Sequence, residues 1–409
     1  MKTKKGYKGY TSYSYLEPGK DYKSFELTSG YNEFNNGVNE YYPLHEDQEA
    51  MMEEIISKYP MVSLHEHPYL YPKHMRAEGY AQGCEGRAAT AFKSLAESAW
   101  DCVFDHLMDG LCMITSKRGW KWSDVTYDLS MRLCDIAHQD FIFPCKSTDD
   151  ILKAKKEGKL AWVPAMEGCM PIENEIDRFD MLYGMGVRLM GITYSDANAM
   201  GCGLKEECDG GLTYLGKQAV DRMNKLGMAI DCSHSGPKTS MDTIKFSKKP
   251  IIMTHTGARS LWNSKRLMPD EVLLECAKRG GIIGIEGAPH TTMIEGHPHD
   301  IESYMAHFEY IADLCGIDHV GFGPDTMYGD HVGVHDAFAD AIAIGQAFQK
   351  KEADGSESFP HVKYVKYLEN PTEGSYNIVR WLIAHNYSEE DISKVMGGNA
   401  IRVLNEVWN

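Results

Sequence analysis

No Cys-x-x-Cys pair occurs among the eleven cysteines of this 409-residue chain. Structural zinc clusters are thereby disfavoured, and an odd count argues against a closed disulfide framework. Reduced thiols in the cytoplasm are the expectation. No stretch approaches the roughly 18 apolar residues of a membrane span. The opening "MKTKKGYKGYTSYSYLEPG" is basic but lacks the apolar core of a secretory signal, and the closing "GGNAIRVLNEVWN" lacks a lipid-anchor tail. Positive charge is also scarce. With 42 Lys and Arg against 59 Asp and Glu, the net charge is −17, which argues against nucleic acid or anionic membranes as main partners. Internal repeats are missing too, and no Gly-x-Gly-x-x-Gly turn follows the first apolar run, as an open dinucleotide-binding sheet would require.

What is present is the composition of a globular protein, 43% hydrophobic and 25% charged. Residues 1 to about 55 are rich in Tyr, Gly and Asn and show no sustained period. They read as an extension that lies over the body, contacts a second subunit in a homodimer, or trails as a tail. From residue 61, short apolar runs alternate with amphipathic stretches. The runs are "MVSL", "GLCMIT", "FIF", "LAWVPAM", "VRLMGIT", "GMAIDC", "PIIMT", "GIIGI" and "HVGFG". Between them "LTYLGKQAVDRMNKLG" has helical spacing and a terminal Gly227, "GPKTSMDTIKFSKK" places Pro237 in a first turn, and "MPDEVLLECAKRGG" sets acids early and bases late. Strand-helix alternation implies a parallel sheet. Residues 60 to about 325 match the roughly 250 residues of a (β/α)8 TIM-type barrel, although nine runs are one too many and "FIF" is the weakest. The expected organisation is one barrel domain over 56–409, with insertions near 70–100 and 329–372 and closing helices at the C-terminal end.

The ends of these runs carry the chemistry. "MVSLHEHPYLYP" presents His65 and His67, which share a face if the segment is extended. "LAWVPAMEG" ends in Glu167, "GMAIDCSHSG" in His234, "PIIMTHTG" in His255 and "HVGFGPDT" in Asp325. In a barrel all of these ends converge on one face, where active sites sit. One histidine at a strand end is more often a satisfied polar residue than a ligand. Four histidines and two acids, each at such an end, point to a site for zinc or a related divalent metal. His290, His297 and His299 in "GAPHTTMIEGHPHD" are expected to be solvated; His331 and His335 follow Asp325 closely and could reach the pocket, but they are not counted among the site residues.

With those residues in place, the chain resembles the membrane dipeptidase (renal dipeptidase) family of the amidohydrolase superfamily. The resemblance runs from about residue 141 to the C-terminal end, together with the motif at 65–67. It is carried by "AMEG", "LYGMGVRLMGIT", "GLTYLGKQAVDRMNKLGMAIDCSHS", "PIIMTHTGARSL", "RLMPDEVL", "GIDHVGFGPD" and "GGNAIRVL". It implies two zinc ions bridged by Glu167, one bound by His65 and His67 and the other by His234 and His255. It also implies Asp325 as the acid/base and Arg266 as the holder of a substrate carboxylate. The implied activity is hydrolysis of the amide bond of dipeptides or similar small carboxylated substrates by a metal-bridging hydroxide. The alternatives are hydrolysis of an N-acyl amino acid or cyclic amide, or a decarboxylation.

Three departures stand out. Where the family has His-x-Asp, this chain has His65-Glu66-His67, which exchanges an anionic ligand for a neutral one. Tyr194 replaces a family histidine that helps polarise the substrate carbonyl. A phenol there can donate a hydrogen bond to an oxyanion or serve as an aromatic wall. Beyond Asp325 the chain reads "PDTMYGD" and leaves the family pattern, so substrate identity is less determined than reaction type.

Overall fold

The computed structural model describes residues 3–107, 121–335 and 361–408. Among these, eight parallel strands form the barrel: β1 (Val62–Leu70), β2 (Cys102–Leu107), β3 (Leu160–Met166), β4 (Leu189–Gly191), β5 (Ala229–Asp231), β6 (Ile252–Thr256), β7 (Ile282–Ile285) and β8 (Val320–Phe322). They pair in chain order from β1 to β8. The cylinder closes where the chain beyond β8 turns onto β1. There Asp325 N–H donates to the His65 carbonyl at 3.1 Å, and His67 N–H to the Thr326 carbonyl at 2.9 Å.

Seven of the predicted runs lie in barrel strands. "FIF" is a strand too, Ile142–Pro144, but it pairs only beside the foot of β3. "GLCMIT" lies outside the described residues. The second barrel strand is instead "CVFDHL", whose apolar run is broken by Asp105 and His106. Asp105 faces the helices, where Arg132 Nη1 donates to it at 2.9 Å and Trp162 Nε1 at 2.7 Å.

Local rules explain the crossover helices. Tyr214–Leu226 begins where the Thr213 hydroxyl accepts from Gly216 N–H at 2.9 Å, and it ends at Gly227 in the left-handed region (φ 71°). Pro237 opens Pro237–Phe246, and Asp270–Lys278 carries Asp270 and Glu271 in its first turn and Lys278 in its last. The final helix, Asn399–Trp408, seals the end of the barrel at which the strands begin. Val403, Leu404 and Val407 join the interior cluster of Val62, Leu64 and Phe104, and Asn399 Nδ2 donates to the Val320 carbonyl at 2.8 Å.

The N-terminal extension lies along the body of its own chain. Tyr10 Oη donates to Asp135 at 2.7 Å, Glu40 N–H to Glu373 at 2.7 Å and Tyr42 N–H to Asn377 at 2.7 Å. Helix Glu46–Lys58 runs across residue 55, and helices Met75–Glu85 and Phe92–Glu97 lie between β1 and β2. Among the described residues, no helix is long and apolar enough to cross a membrane.

Candidate metal centre

β1 sets the first pair of histidines. Val62 and Leu64 face the interior, so strict alternation would send His65 outward. The register between β1 and β2 shifts between Ser63 and Glu66, and this bulge turns His65 inward ahead of His67. Their Nε2 atoms lie 3.2 Å apart. Space for His65 comes from Gly323, where a Cβ would sit 1.9 Å from the Thr254 carbonyl oxygen and 3.0 Å from His65 Cβ. Glu66 points to the other side of the sheet. There it accepts from Thr326 N–H at 3.0 Å and the Thr326 hydroxyl at 2.7 Å, and burial raises its carboxyl to about 8.

The remaining groups come from four other strand ends. Glu167 follows β3, and its two oxygens diverge: Oε1 lies 3.6 Å from His67 Nε2 and Oε2 lies 3.4 Å from His234 Nε2. His234 follows β5 and His255 lies in β6, with their Nε2 atoms 2.9 Å apart. Asp325, beyond β8, adopts a left-handed backbone (φ 55°), a strained conformation for a residue with a side chain. Its Oδ1 lies 3.0 Å from His67 Nε2 and 3.4 Å from His65 Nε2. The structure thus gathers His65, His67, Glu167, His234, His255 and Asp325 in one buried cluster.

The outer hydrogen bonds determine which ring nitrogens face inward. The Thr254 hydroxyl donates to Asp231 Oδ2 at 2.7 Å, because a carboxylate can only accept. The same oxygen then accepts from His65 Nδ1–H at 3.2 Å and His255 Nδ1–H at 2.8 Å. His67 Nδ1–H donates to the His106 carbonyl at 3.1 Å, and Ser195 Oγ lies 3.2 Å from His234 Nδ1. Nδ1 protonation leaves the Nε2 atoms of His65, His67 and His255 as bare lone pairs, and those of His65 and His67 face each other at 3.2 Å with no proton between them. Such an arrangement is repulsive alone and fits a cation. Burial, followed by neighbouring charges, holds His65, His234 and His255 far below the usual imidazole range, as neutral ligands require. The donor set therefore fits divalent metal.

Three groups of this cluster were not anticipated. His106, at the end of β2, stacks on His65 at 3.6 Å between ring centroids. Glu286, just beyond β7, offers an oxygen that groups with His255 and Asp325. Asp231 anchors Thr254. The run-end rule that finds Glu167 also applies to "GIIGIEG", so Glu286 was legible; His106 was hidden with its strand.

Of the predicted substrate contacts, Tyr194 stacks its ring on His234 at 4.3 Å. Arg266 is buried, with Nη2 2.9 Å from Glu286 Oε2, and its Nη1 donates to the Ser233 carbonyl at 2.9 Å. Burial raises the Glu286 carboxyl well above its usual range, against the opposing pull of Arg266. His290 and His299 are buried rather than solvated: His290 N–H donates to His299 Nδ1 at 2.9 Å, and burial lowers the His290 ring to about 4. The loop that carries them folds inward instead of facing water, whereas His297 remains well exposed. His331 is buried with its ring 4.5 Å from that of His335, and His335 lies near enough to His234 to contribute to its lowered pKa.

This geometry agrees with what the chain is similar to. A model of the membrane dipeptidase family, peptidase family M19, matches residues 51–341. The dipeptidase tcpJ of Claviceps purpurea is 27% identical over 282 residues, which cover 68% of this chain and 58% of that protein. This chain therefore spans less than two thirds of that relative. An amidohydrolase from Pseudomonas aeruginosa superposes with a TM-score of 0.70 at 22% identity, over 87% of this chain and 99% of its own. The probable dipeptidase PvdM from the same organism does so at 0.66 and 20%, over 90% and 99%. The two solved structures show the shared fold, and the family model, matching well over half of the sequence, places it: this chain belongs to the membrane dipeptidase family.

Proposed function

We propose that this chain is a metal-dependent hydrolase that cleaves the amide bond of dipeptides or similarly small amides. The reading rests on one observation above all, the convergence of four imidazole Nε2 atoms around the two divergent oxygens of Glu167. His65 and His67 would hold one divalent ion and His234 and His255 a second, with Glu167 offering one oxygen to each; zinc is the metal the family suggests. Ions of this kind supply Lewis acidity toward a carbonyl and an acidified water at neutral pH. The protein supplies the rest. Asp325, placed beside the first pair by its strained backbone, takes a proton and delivers it to the leaving nitrogen. Tyr194, flat against His234, forms an aromatic wall. Arg266 is the cation that reads the far end of the substrate.

The test is amine release by metal-loaded protein from a panel of dipeptides of both chiralities. Release that a chelator abolishes supports the reading. Turnover confined to N-acyl amino acids or cyclic amides would move the substrate class, and carbon dioxide without amine would replace hydrolysis by decarboxylation.

A further inference from the structure

We propose that Glu286 determines specificity by occupying Arg266 from within, so that the site favours substrates whose far end is an uncharged amide or ester over those ending in a free carboxylate. This deepens the hydrolase reading and rests on it for turnover, though not for binding.

A guanidinium recognises a carboxylate with a planar fork of N–H donors. In this chain a carboxylate already stands beside that fork. Arg266 Nη2 lies 2.9 Å from Glu286 Oε2 and donates to the His255 carbonyl at 3.3 Å, and Nη1 donates to the Ser233 carbonyl at 2.9 Å. Both side chains are 1% exposed, so water does not screen the pair. The two carbonyls belong to the segments that carry His234 and His255, and they hold the guanidinium on the barrel wall rather than extended toward a ligand.

The surrounding charge points the same way. Ligand atoms of His255, Glu286 and Asp325 lie within 4.8 Å of one another. A substrate carboxylate brought to Arg266 would compete with Glu286 for one guanidinium, at a place where both protein side chains are buried. It would have to displace Glu286 and leave that carboxylate buried without its partner. A carboxamide or ester carbonyl brings no charge and can accept a hydrogen bond from the rim of the fork while the internal pair stays intact. Glu286 is thus a positioning residue that acts through Arg266.

Matched pairs test this directly: a dipeptide against its C-terminal amide for turnover, and N-acetylglycine against N-acetylglycinamide for binding by calorimetry. The wild-type protein should prefer the uncharged member at least tenfold in kcat/KM, mainly through KM, and in affinity. Glu286→Gln should shift that ratio at least tenfold toward the carboxylate, and Glu286→Asp should keep the wild-type order. A tenfold preference of the wild-type protein for the free carboxylate would overturn the proposal whatever the variants do. So would a Glu286→Gln protein of unchanged metal content with an unchanged ratio. If no amide is hydrolysed, the hydrolase reading fails, while the calorimetric pair still decides whether Arg266 is available to a carboxylate.

Discussion

Thr254 shows how much one hydroxyl can determine. It donates to Asp231 and accepts from two imidazoles, so it fixes the tautomer of a histidine on each side of Glu167. Thr254→Val keeps the shape and removes this function. Metal affinity should fall about 10- to 100-fold, the usual cost of losing an outer partner of a ligating histidine. Competition with a chromophoric chelator would measure it, and unchanged affinity would show that the tautomers are held by something else. Asp325 makes the contrasting case. If it moves a proton, Asp325→Asn should retain bound metal by elemental analysis yet lose about 10²- to 10⁴-fold in rate. Near-normal turnover would remove it from the chemistry. Both residues are small and polar at strand ends, and only their partners distinguish their roles.

At the scale of elements, the N-terminal extension is held to helix Pro371–Ala384 and the turn before it through buried carboxyls. Glu369 accepts from Glu33 N–H at 2.9 Å and Glu373 from Glu40 N–H at 2.7 Å. Burial raises Glu369 to about 9 and Glu373 to about 8, and their mutual proximity, Glu33, Glu40 and Tyr364 crowd the same space. In the unfolded chain both titrate near 4.5. Between those values the folded state keeps protons that the unfolded state has released, so stability should fall as pH rises through the window. Urea midpoints from about pH 5 to about pH 9 should show this decline, and Glu369→Gln with Glu373→Gln should flatten it; an unchanged slope in the double variant would place the titration elsewhere. The same scale shows what was legible in the sequence. Gly227, Pro237 and the acid-to-base order of residues 270–278 mark helix ends by local rules, and the run ends at Glu167, His234 and His255 follow from barrel topology. Two things escaped. "CVFDHL" reads as a broken run because the groups that satisfy Asp105, Arg132 and Trp162, lie 27 and 57 residues further along. The bulge that brings His65 inward is a matter of pairing with β2 and leaves no local signature.

For the whole molecule, the barrel concentrates its polar groups at one end and its apolar ones at the other. Phe104 stacks on Trp408 where the final helix seals the base, while His65, Glu167, His255, Glu286 and Asp325 crowd the opposite end with Arg266 as the cation that meets them. The base can fold on hydrophobic burial alone. The upper layer is opposed by converging ring nitrogens and neighbouring carboxylates, an opposition that a bound cation would relieve. Folding and metal binding should therefore be linked. An ion present at 100 times its dissociation constant adds about 2.7 kcal/mol to the folded state. For a chain of this length that corresponds to about 3 °C in Tm at a typical unfolding entropy per residue. Chelation should lower Tm by at least that much, and stoichiometric zinc should restore it. The Thr254→Val protein, with its histidines free to turn, should need more zinc to reach the same temperature. A Tm indifferent to chelator, in protein shown by elemental analysis to have lost its metal, would mean that the upper layer holds itself together, and the reading of those lone pairs as a cation site would fall.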